Sequence, residues 1–211
     1  VRKVLRALYG DPESGRTFYE ELVEIHFSLG FKRVHHDQSL LVLYKSNSAW
    51  IRCGWHVDDG AFAQKGDKLW KWYLIQLRVK YNYSLDILSH FCGTNYHIDY
   101  ERGIVKVEQT ALIEKALRDL SYADIPAARY PVDKVAQPSK DDIPAELSNE
   151  TKSYPMLKAI GYATYIHACS RPDIGFALKV AAKFAKEWGP ANIAWMEYIW
   201  RYLKTTKHKC I

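Results

Sequence analysis

Two apolar, aromatic and β-branched runs, SLLVLYK (Ser39–Lys45) and AWIRCGWHV (Ala49–Val57), are separated only by Ser46-Asn47-Ser48. A connection that short joins antiparallel strands and cannot supply the crossover of about a dozen residues that parallel neighbours require. The hairpin stands between helical patterns. Leu22, Ile25 and Leu29 recur at helical spacing in a stretch that reads as a helix from Ser14 to Leu29, closed by Gly30 as a left-handed cap. A Lys/Trp-rich stretch from Asp67 to Lys80, with Leu69, Tyr73 and Leu77 on one side, predicts a second helix. A second hairpin is expected in FCGTNYHIDYERGIVKV, turning at Glu101-Arg102-Gly103, before helical spacing returns from Thr110 to Leu120. The order helix, hairpin, helix, hairpin, helix is that of an α+β protein. It excludes the regular alternation of a parallel nucleotide-binding sheet.

Between residues 124 and 153 the chain is rich in Pro, Ser, Lys and Asp and keeps no period, so this stretch is expected to be a linker. It divides the chain into residues 1–123, the segment 124–153 and residues 154–211. The last part predicts three helices, Pro155–Cys169, Pro172–Lys186 and Ala191–Lys204, with prolines where a first helical turn tolerates them. At 48% hydrophobic and 26% charged the chain has enough apolar matter for a core. No run approaches the roughly 18 apolar residues of a membrane helix, and no secretory signal opens the chain. Cys53, Cys92, Cys169 and Cys210 stand singly, which predicts a reduced intracellular protein, cytoplasmic or nuclear. There is no initiator Met, and the chain reads as an excerpt of a longer one.

The net charge is +6. From Arg171 to Ile211, eight Lys or Arg stand against three Asp or Glu, so most of the excess lies at that end, where a phosphate backbone is attracted first. Lys179, Lys183 and Lys186 are expected to share one helical face, as are Arg201 and Lys204. Trp195, Trp200 and Tyr202 beside them either stack bases over a basic groove or fill a helical core. A solvated cationic surface is the simpler alternative. His35-His36 reads as a surface pair.

Asp58-Asp59 is the closely spaced carboxylate pair beside a strand-like run, in Trp55-His56-Val57-Asp58-Asp59-Gly60. Magnesium takes hard oxygen ligands, often one or two carboxylates together with substrate phosphates. Neighbouring side chains on a strand point to opposite faces, so both acids reach one site only where the pleat breaks, and Gly60 permits such a turn. The same three residues, Asp-Asp-Gly, also make an ordinary solvated hairpin turn.

Further motifs occur in a recognisable order. Leu8-Tyr9-Gly10, followed by Arg16 and Tyr19, is similar to "LYGLKQSPRxWY". Leu29-Gly30-Phe31 and Asp37-Gln38-Ser39-Leu40 follow, and His56-Val57-Asp58-Asp59 falls at the place of Tyr-Val-Asp-Asp. Phe91-Cys92-Gly93 matches "FLG", and Val107-Glu108-Gln109 with Ile113-Glu114-Lys115 matches "LSQ … YIEKLL". Tyr154 to Phe176 is similar to "YRSLVGSLMYLxxxTRPDIxF", and Arg201-Tyr202-Leu203-Lys204-Thr205 to "RYLKGT". Together these resemble the reverse transcriptase of copia-type long-terminal-repeat retrotransposons, nearly end to end.

The resemblance implies part of a polymerase palm with fingers residues over 1–123, and a mainly helical connection or thumb-like region over 154–211. It implies that an upstream palm segment and a downstream RNase H domain lie outside this chain. The activity implied is RNA-directed DNA polymerisation, in which a primer 3′-hydroxyl attacks the α-phosphate of a deoxynucleoside triphosphate on an RNA or DNA template. Two Mg²⁺ ions assist, with Asp58 as the main ligand and Asp59 as a second ligand or as support for the hairpin tip. Tyr9, Gly10, Arg16 and His56 would lie near nucleotide or primer. The family's first catalytic Asp precedes this chain, so the isolated chain is expected to be inactive and to hold Mg²⁺ weakly. Asp11 to Gly15 replaces "LKQSP", His56 replaces the motif Tyr, and Ser84 and Asp86 depart from "DLG". These departures leave a second reading, a decayed or domesticated remnant that binds nucleic acid through its basic terminal helices and catalyses nothing.

Overall fold

The computed structural model describes residues 13–132 and 137–211 as an α+β chain with two antiparallel sheets. It forms two compact units, residues 1–88 and 89–211.

The first unit opens with helix α1 (Ser14–Ser28). Gly30 ends it as the sequence predicts, at φ 92°. The Gly30 amide donates to the Phe27 carbonyl and the Phe31 amide to that of His26, the paired bonds of a Schellman cap. Strands β1 (Lys32–Val34), β2 (Asp37–Ser46), β3 (Ala49–His56) and β4 (Asp59–Lys65) then form a four-stranded meander in chain order. Helix α2 covers Asp67–Lys80, the predicted span. Strand β4 was not expected. Asp-Gly-Ala-Phe-Ala-Gln-Lys has little strand propensity, and what makes it a strand is its pairing along β3 from His56↔Asp59 to Trp50↔Lys65.

Directly opposed residues share a face, so the register divides the sheet cleanly. Leu41, Leu43, Ile51 and Cys53 form the buried face. Helices α1 and α2 cover that face through Val23, Tyr73 and Leu77. At the joint between the helices lies His26, fully buried. Its Nδ1–H donates to the Leu22 carbonyl at 2.7 Å. Its Nε2 therefore accepts from the Tyr73 hydroxyl at 2.8 Å. Burial holds this imidazole below the ordinary histidine value of 6.5, against the opposing pull of the Leu22 carbonyl.

A depressed folded-state pKa makes the neutral ring part of the native state. Stability from His26 is full above pH 6.5, where the unfolded chain is also neutral, and is lost as pH falls below it. Urea unfolding followed between pH 7.5 and 5 should show stability falling by at most about 1.4 kcal/mol per pH unit for this one proton. An imidazole that titrates by NMR at the ordinary value would contradict that burial argument.

The second unit carries a three-stranded sheet, β5 (His90–Phe91), β6 (Thr94–Asp99) and β7 (Ile104–Glu108). Its helices are α3 (Thr110–Asp119), α4 (Asn149–Ser153), α5 (Met156–Cys169), α6 (Gly175–Ala182) and α7 (Pro190–Thr205). One core joins Ile113, Ala116 and Leu117 of α3 to Ala159, Ala163 and Ile166 of α5 and Met196, Ile199, Trp200 and Leu203 of α7.

That core moves the division between compact units from the expected 124–153 stretch to the Leu88–Ser89 junction, because α3 buries its apolar side among the later helices. Much of the stretch itself is packed. Ala128 is buried, with its amide bonded to Thr205 Oγ1 at 3.1 Å. Ser148 caps α4 by accepting from the Thr151 amide, and the Trp188 indole donates to the Thr151 carbonyl. Ser148, and Asp142 accepting from the amide and hydroxyl of Ser139, act as caps, which have no period to read. The predicted Pro172–Lys186 helix is also shorter: a 3₁₀ turn at Pro172–Ile174 leads into α6, which stops at Ala182. Amides of Lys183 and Phe184 bond three residues back, tightening the chain so that Phe184 buries its ring. Among the described residues no helix is long and apolar enough to cross a membrane.

Candidate active site

The Asp58-Asp59 pair sits at the tip of the β3–β4 hairpin. His56 and Asp59 form the last cross-strand pair, leaving a two-residue turn of Val57 and Asp58. Val57 takes φ 55°, a left-handed conformation that a β-branched residue adopts only under constraint. The pleat breaks here, so Asp58 is not held to the face-to-face alternation of a strand. Gly60 contributes space rather than a special φ: a Cβ there would lie 2.7 Å from the Trp55 ring and 2.9 Å from that of Phe62. Those two rings meet edge to face at 5.3 Å beneath the tip and anchor it to the helix-covered side of the sheet.

His56, Asp58 and Asp59 are all exposed. By the register, His56 and Asp59 belong to the sheet face that the helices leave open, together with Gly54, Ala61, Ala63, Arg52, Trp50, Tyr44 and Lys65. Lys32 joins them through its pairing with Val42. Next to Asp59, Ala61 and Ala63 make a low floor, Leu40 lies against Gly54, and further back come exposed Lys32, Arg52 and Lys65. The Arg52 guanidinium lies over the Trp50 ring at 4.9 Å. A face with carboxylates at one end, small side chains next to them and cations behind suits a phosphodiester backbone with a metal ion at its reacting end.

Whether the acids suit Mg²⁺ follows from the donor set. They offer hard oxygens with open coordination around them, but among the described residues no group of three or more His, Cys, Asp or Glu is gathered to hold a metal. Two carboxylates fit an ion that keeps most of its water and takes its remaining ligands from a bound phosphate.

The other predicted residues are not brought to this tip. Tyr9, Gly10 and Asp11 lie outside the described residues. Arg16 is on α1, its Nε donating to Glu20 at 2.8 Å across one exposed helical turn. Of the basic residues near the chain end, Lys179, Lys183 and Lys186 are all exposed, but only Lys179 lies within α6, and Lys183 and Lys186 follow its end at Ala182. The expected helical stripe of Lys179, Lys183 and Lys186 is thus broken. Lys204 donates to the Ile125 carbonyl at 2.9 Å, Lys207 pairs with Glu114 at 2.5 Å, and Arg201 lies along the Tyr198 ring. Trp195, Trp200 and Tyr202 fill the core, the Trp195 indole donating to the Ala177 carbonyl. Base stacking by these three is overturned. Their apolar rings belong to the inner side of α7, which leaves nothing of them to stack on. His35 and His36 are an exposed pair, as expected.

Sequence reading missed a buried guanidinium. Arg171, 2% exposed, bonds both oxygens of Asp173 at 2.9 and 2.8 Å. Its remaining donors reach the Thr206 carbonyl at 2.9 Å and Thr206 Oγ1 at 2.7 Å. The Tyr202 hydroxyl donates to Asp173 at 2.6 Å. Burial pushes the Asp173 carboxyl up, but the Arg171 and Tyr202 donors outweigh it and hold the group below its usual range. The Arg-Pro-Asp of the SRPDIGF stretch is in this chain a structural clamp on the end of α7.

No family model matches the chain, and no solved structure matches it. The chain is similar to a protein of Nicotiana tabacum, the retrovirus-related Pol polyprotein from transposon TNT 1-94, with 22% identity over 218 residues. The match takes in 100% of this chain and 16% of that polyprotein, so the chain spans about a sixth of the relative's length. That similarity supports an origin of this chain in a retrotransposon Pol polyprotein.

Proposed function

We propose that the chain is a segment of a copia-type reverse transcriptase and supplies one side of its polymerase site. The observation that carries this reading is the Asp58-Asp59 pair at a strained two-residue hairpin tip, with Asp59 on the open sheet face beside Ala61 and Ala63. Similarity along the whole chain to a transposon Pol polyprotein supports it. Asp58 and Asp59 would hold Mg²⁺, which when bound neutralises phosphate charge and makes the attacking hydroxyl more acidic. The low floor lets a nucleic-acid backbone approach the carboxylates, while Lys32, Arg52 and Lys65 draw it to that face by charge alone, without reading sequence. His56 stands opposite Asp59 and borders the place where a primer end would lie.

A two-carboxylate site predicts weak metal binding and no turnover by the isolated chain. Calorimetry should give a dissociation constant on the order of millimolar for Mg²⁺, since few anionic ligands offset its dehydration. Primer extension on a homopolymer template should be undetectable. Micromolar Mg²⁺ binding that Asp58→Ala removes, or robust nucleotide incorporation, would mean that this chain itself holds a third ligand. A second reading, a non-catalytic remnant that binds nucleic acid, rests on the departures in the sequence, His56 at the place of the motif Tyr and Asp11 to Gly15 in place of "LKQSP". The two separate in the whole polyprotein, where a polymerase responds to Asp58→Asn and a remnant has no activity to lose.

A further inference from the structure

Helix α2 is apolar on two sides. Tyr73 and Leu77 face inward and are buried, with Leu69, Trp70 and Leu74 packed beside them. On the far side Trp72, Ile75 and Val79, at helical spacing, are 37%, 63% and 74% exposed. Lys68, Lys71 and Arg78 share that outer side, and no Asp or Glu occurs between Lys68 and Leu85. None of these cations, nor Lys80, enters an ion pair among the described residues. Past its first residue, Asp67, the helix carries charge of one sign, and with aliphatic side chains in water beside that charge it has the usual form of an unfilled docking face.

Helix α1 lies beside α2 on the same sheet face, joined to it by His26 and Tyr73. Its outer side is mostly acidic: Glu20, Glu21 and Glu24 are exposed, Glu20 in an ion pair with Arg16, next to Phe27 at 46%, over whose ring the Arg33 guanidinium lies at 5.5 Å. One surface therefore presents an acidic helix and a basic, apolar helix in parallel strips. We propose that this two-helix surface is a self-association interface that takes a second copy of the chain. A two-fold axis in the plane of that surface, passing between the helices, lays α1 of each copy over α2 of the other. Both charge strips are then paired at once, and Ile75 and Val79 are covered.

The two strips together also decide against other occupants. A nucleic-acid backbone or an anionic bilayer attracted to Lys68, Lys71 and Arg78 meets the three glutamates on the same surface. Of the three outer apolar residues of α2 only Trp72 has a ring on which a base could stack, and it is the least exposed of them at 37%. Two helices of this length make a patch of roughly 20 Å by 20 Å, at the small end for protein interfaces, so the dimer is weak and salt-sensitive.

Sedimentation velocity on the whole chain tests this directly. The mass should rise from 24.5 kDa towards twice that with increasing concentration at low salt, and the rise should shrink in high salt. Two variants, Lys71→Glu with Arg78→Glu, and Glu20→Lys with Glu24→Lys, should each remain monomeric. Their equimolar mixture should dimerise again, which also shows that both variants are folded. A chain that is monomeric throughout overturns the proposal, as does a dimer that either variant leaves unchanged or a mixture that stays monomeric. Weakened binding of an oligo(dT) probe by Lys71→Glu with Arg78→Glu, with no change in mass, would assign the surface to nucleic acid and overturn it equally. The proposal stands or falls independently of the polymerase reading, which concerns the opposite face of the sheet.

Discussion

On the polymerase reading proposed above, Asp58→Asn in a Pol polyprotein that carries this chain is expected to lower primer extension by about 10³-fold, the upper end of what removing one charge-stabilising group costs a reaction of this kind. The substitution keeps the size and polarity of the side chain and removes only its charge. Asp58 is exposed in a two-residue turn, so urea stability should change by less than about 0.5 kcal/mol. A large loss of activity at constant stability is therefore specific to phosphoryl chemistry. Asp59→Asn should cost less if Asp59 acts mainly through its cross-strand pairing with His56. Retained activity in the Asp58→Asn polyprotein would remove Asp58 from the site and leave the tip as a solvated turn.

The features legible in the sequence were those that repeat within a few residues. The α2 span, the Gly30 cap and the β2–β3 hairpin follow from local periods and turn chemistry, and the structure places them where those rules put them. Strand β4 was not legible, because Ala61, Ala63 and Gln64 have no strand preference of their own and are held by β3. The Asp58-Asp59 tip was visible as two acids beside a strand, but the open face behind it was not, since that depends on where Ala61 and Ala63 pair. Charge counting misled at the chain end for a similar reason. Lys204 and Lys207 add to the formal balance, yet one is tied to the Ile125 carbonyl and the other to Glu114, 79 and 93 residues away in the chain. Trp195 and Trp200 could be read either way from spacing, and only packing on α5 and α6 decides that they are core.

Arg171 shows how large an effect can stay hidden in this way, because its partner Thr206 is 35 residues distant. Replacing it with Ala should destabilise the second unit by about 3 kcal/mol, with a fall in Tm on the order of 10 °C. Breaking a buried pair typically costs about 3 to 5 kcal/mol, and the lower figure applies because the Asp173 side chain is 36% exposed and water can reach the carboxylate left behind. The loss also frees the end of α7, where Thr206 gives up both bonds to the guanidinium. Arg171→Lys should recover little, since an ammonium cannot bond both Asp173 oxygens and both Thr206 acceptors from one planar group. Asp173 gives the clamp a pH signature. Its carboxyl is held below the usual range, so the clamp contributes fully above the unfolded carboxylate value of 3.8 and is lost as pH falls below it. Urea unfolding read by tryptophan fluorescence at pH 7 and pH 3 should therefore show a smaller Arg171→Ala effect at the lower pH. A difference under about 1 kcal/mol at pH 7, or one that does not shrink in acid, would show that the pair contributes no more than an exposed salt bridge.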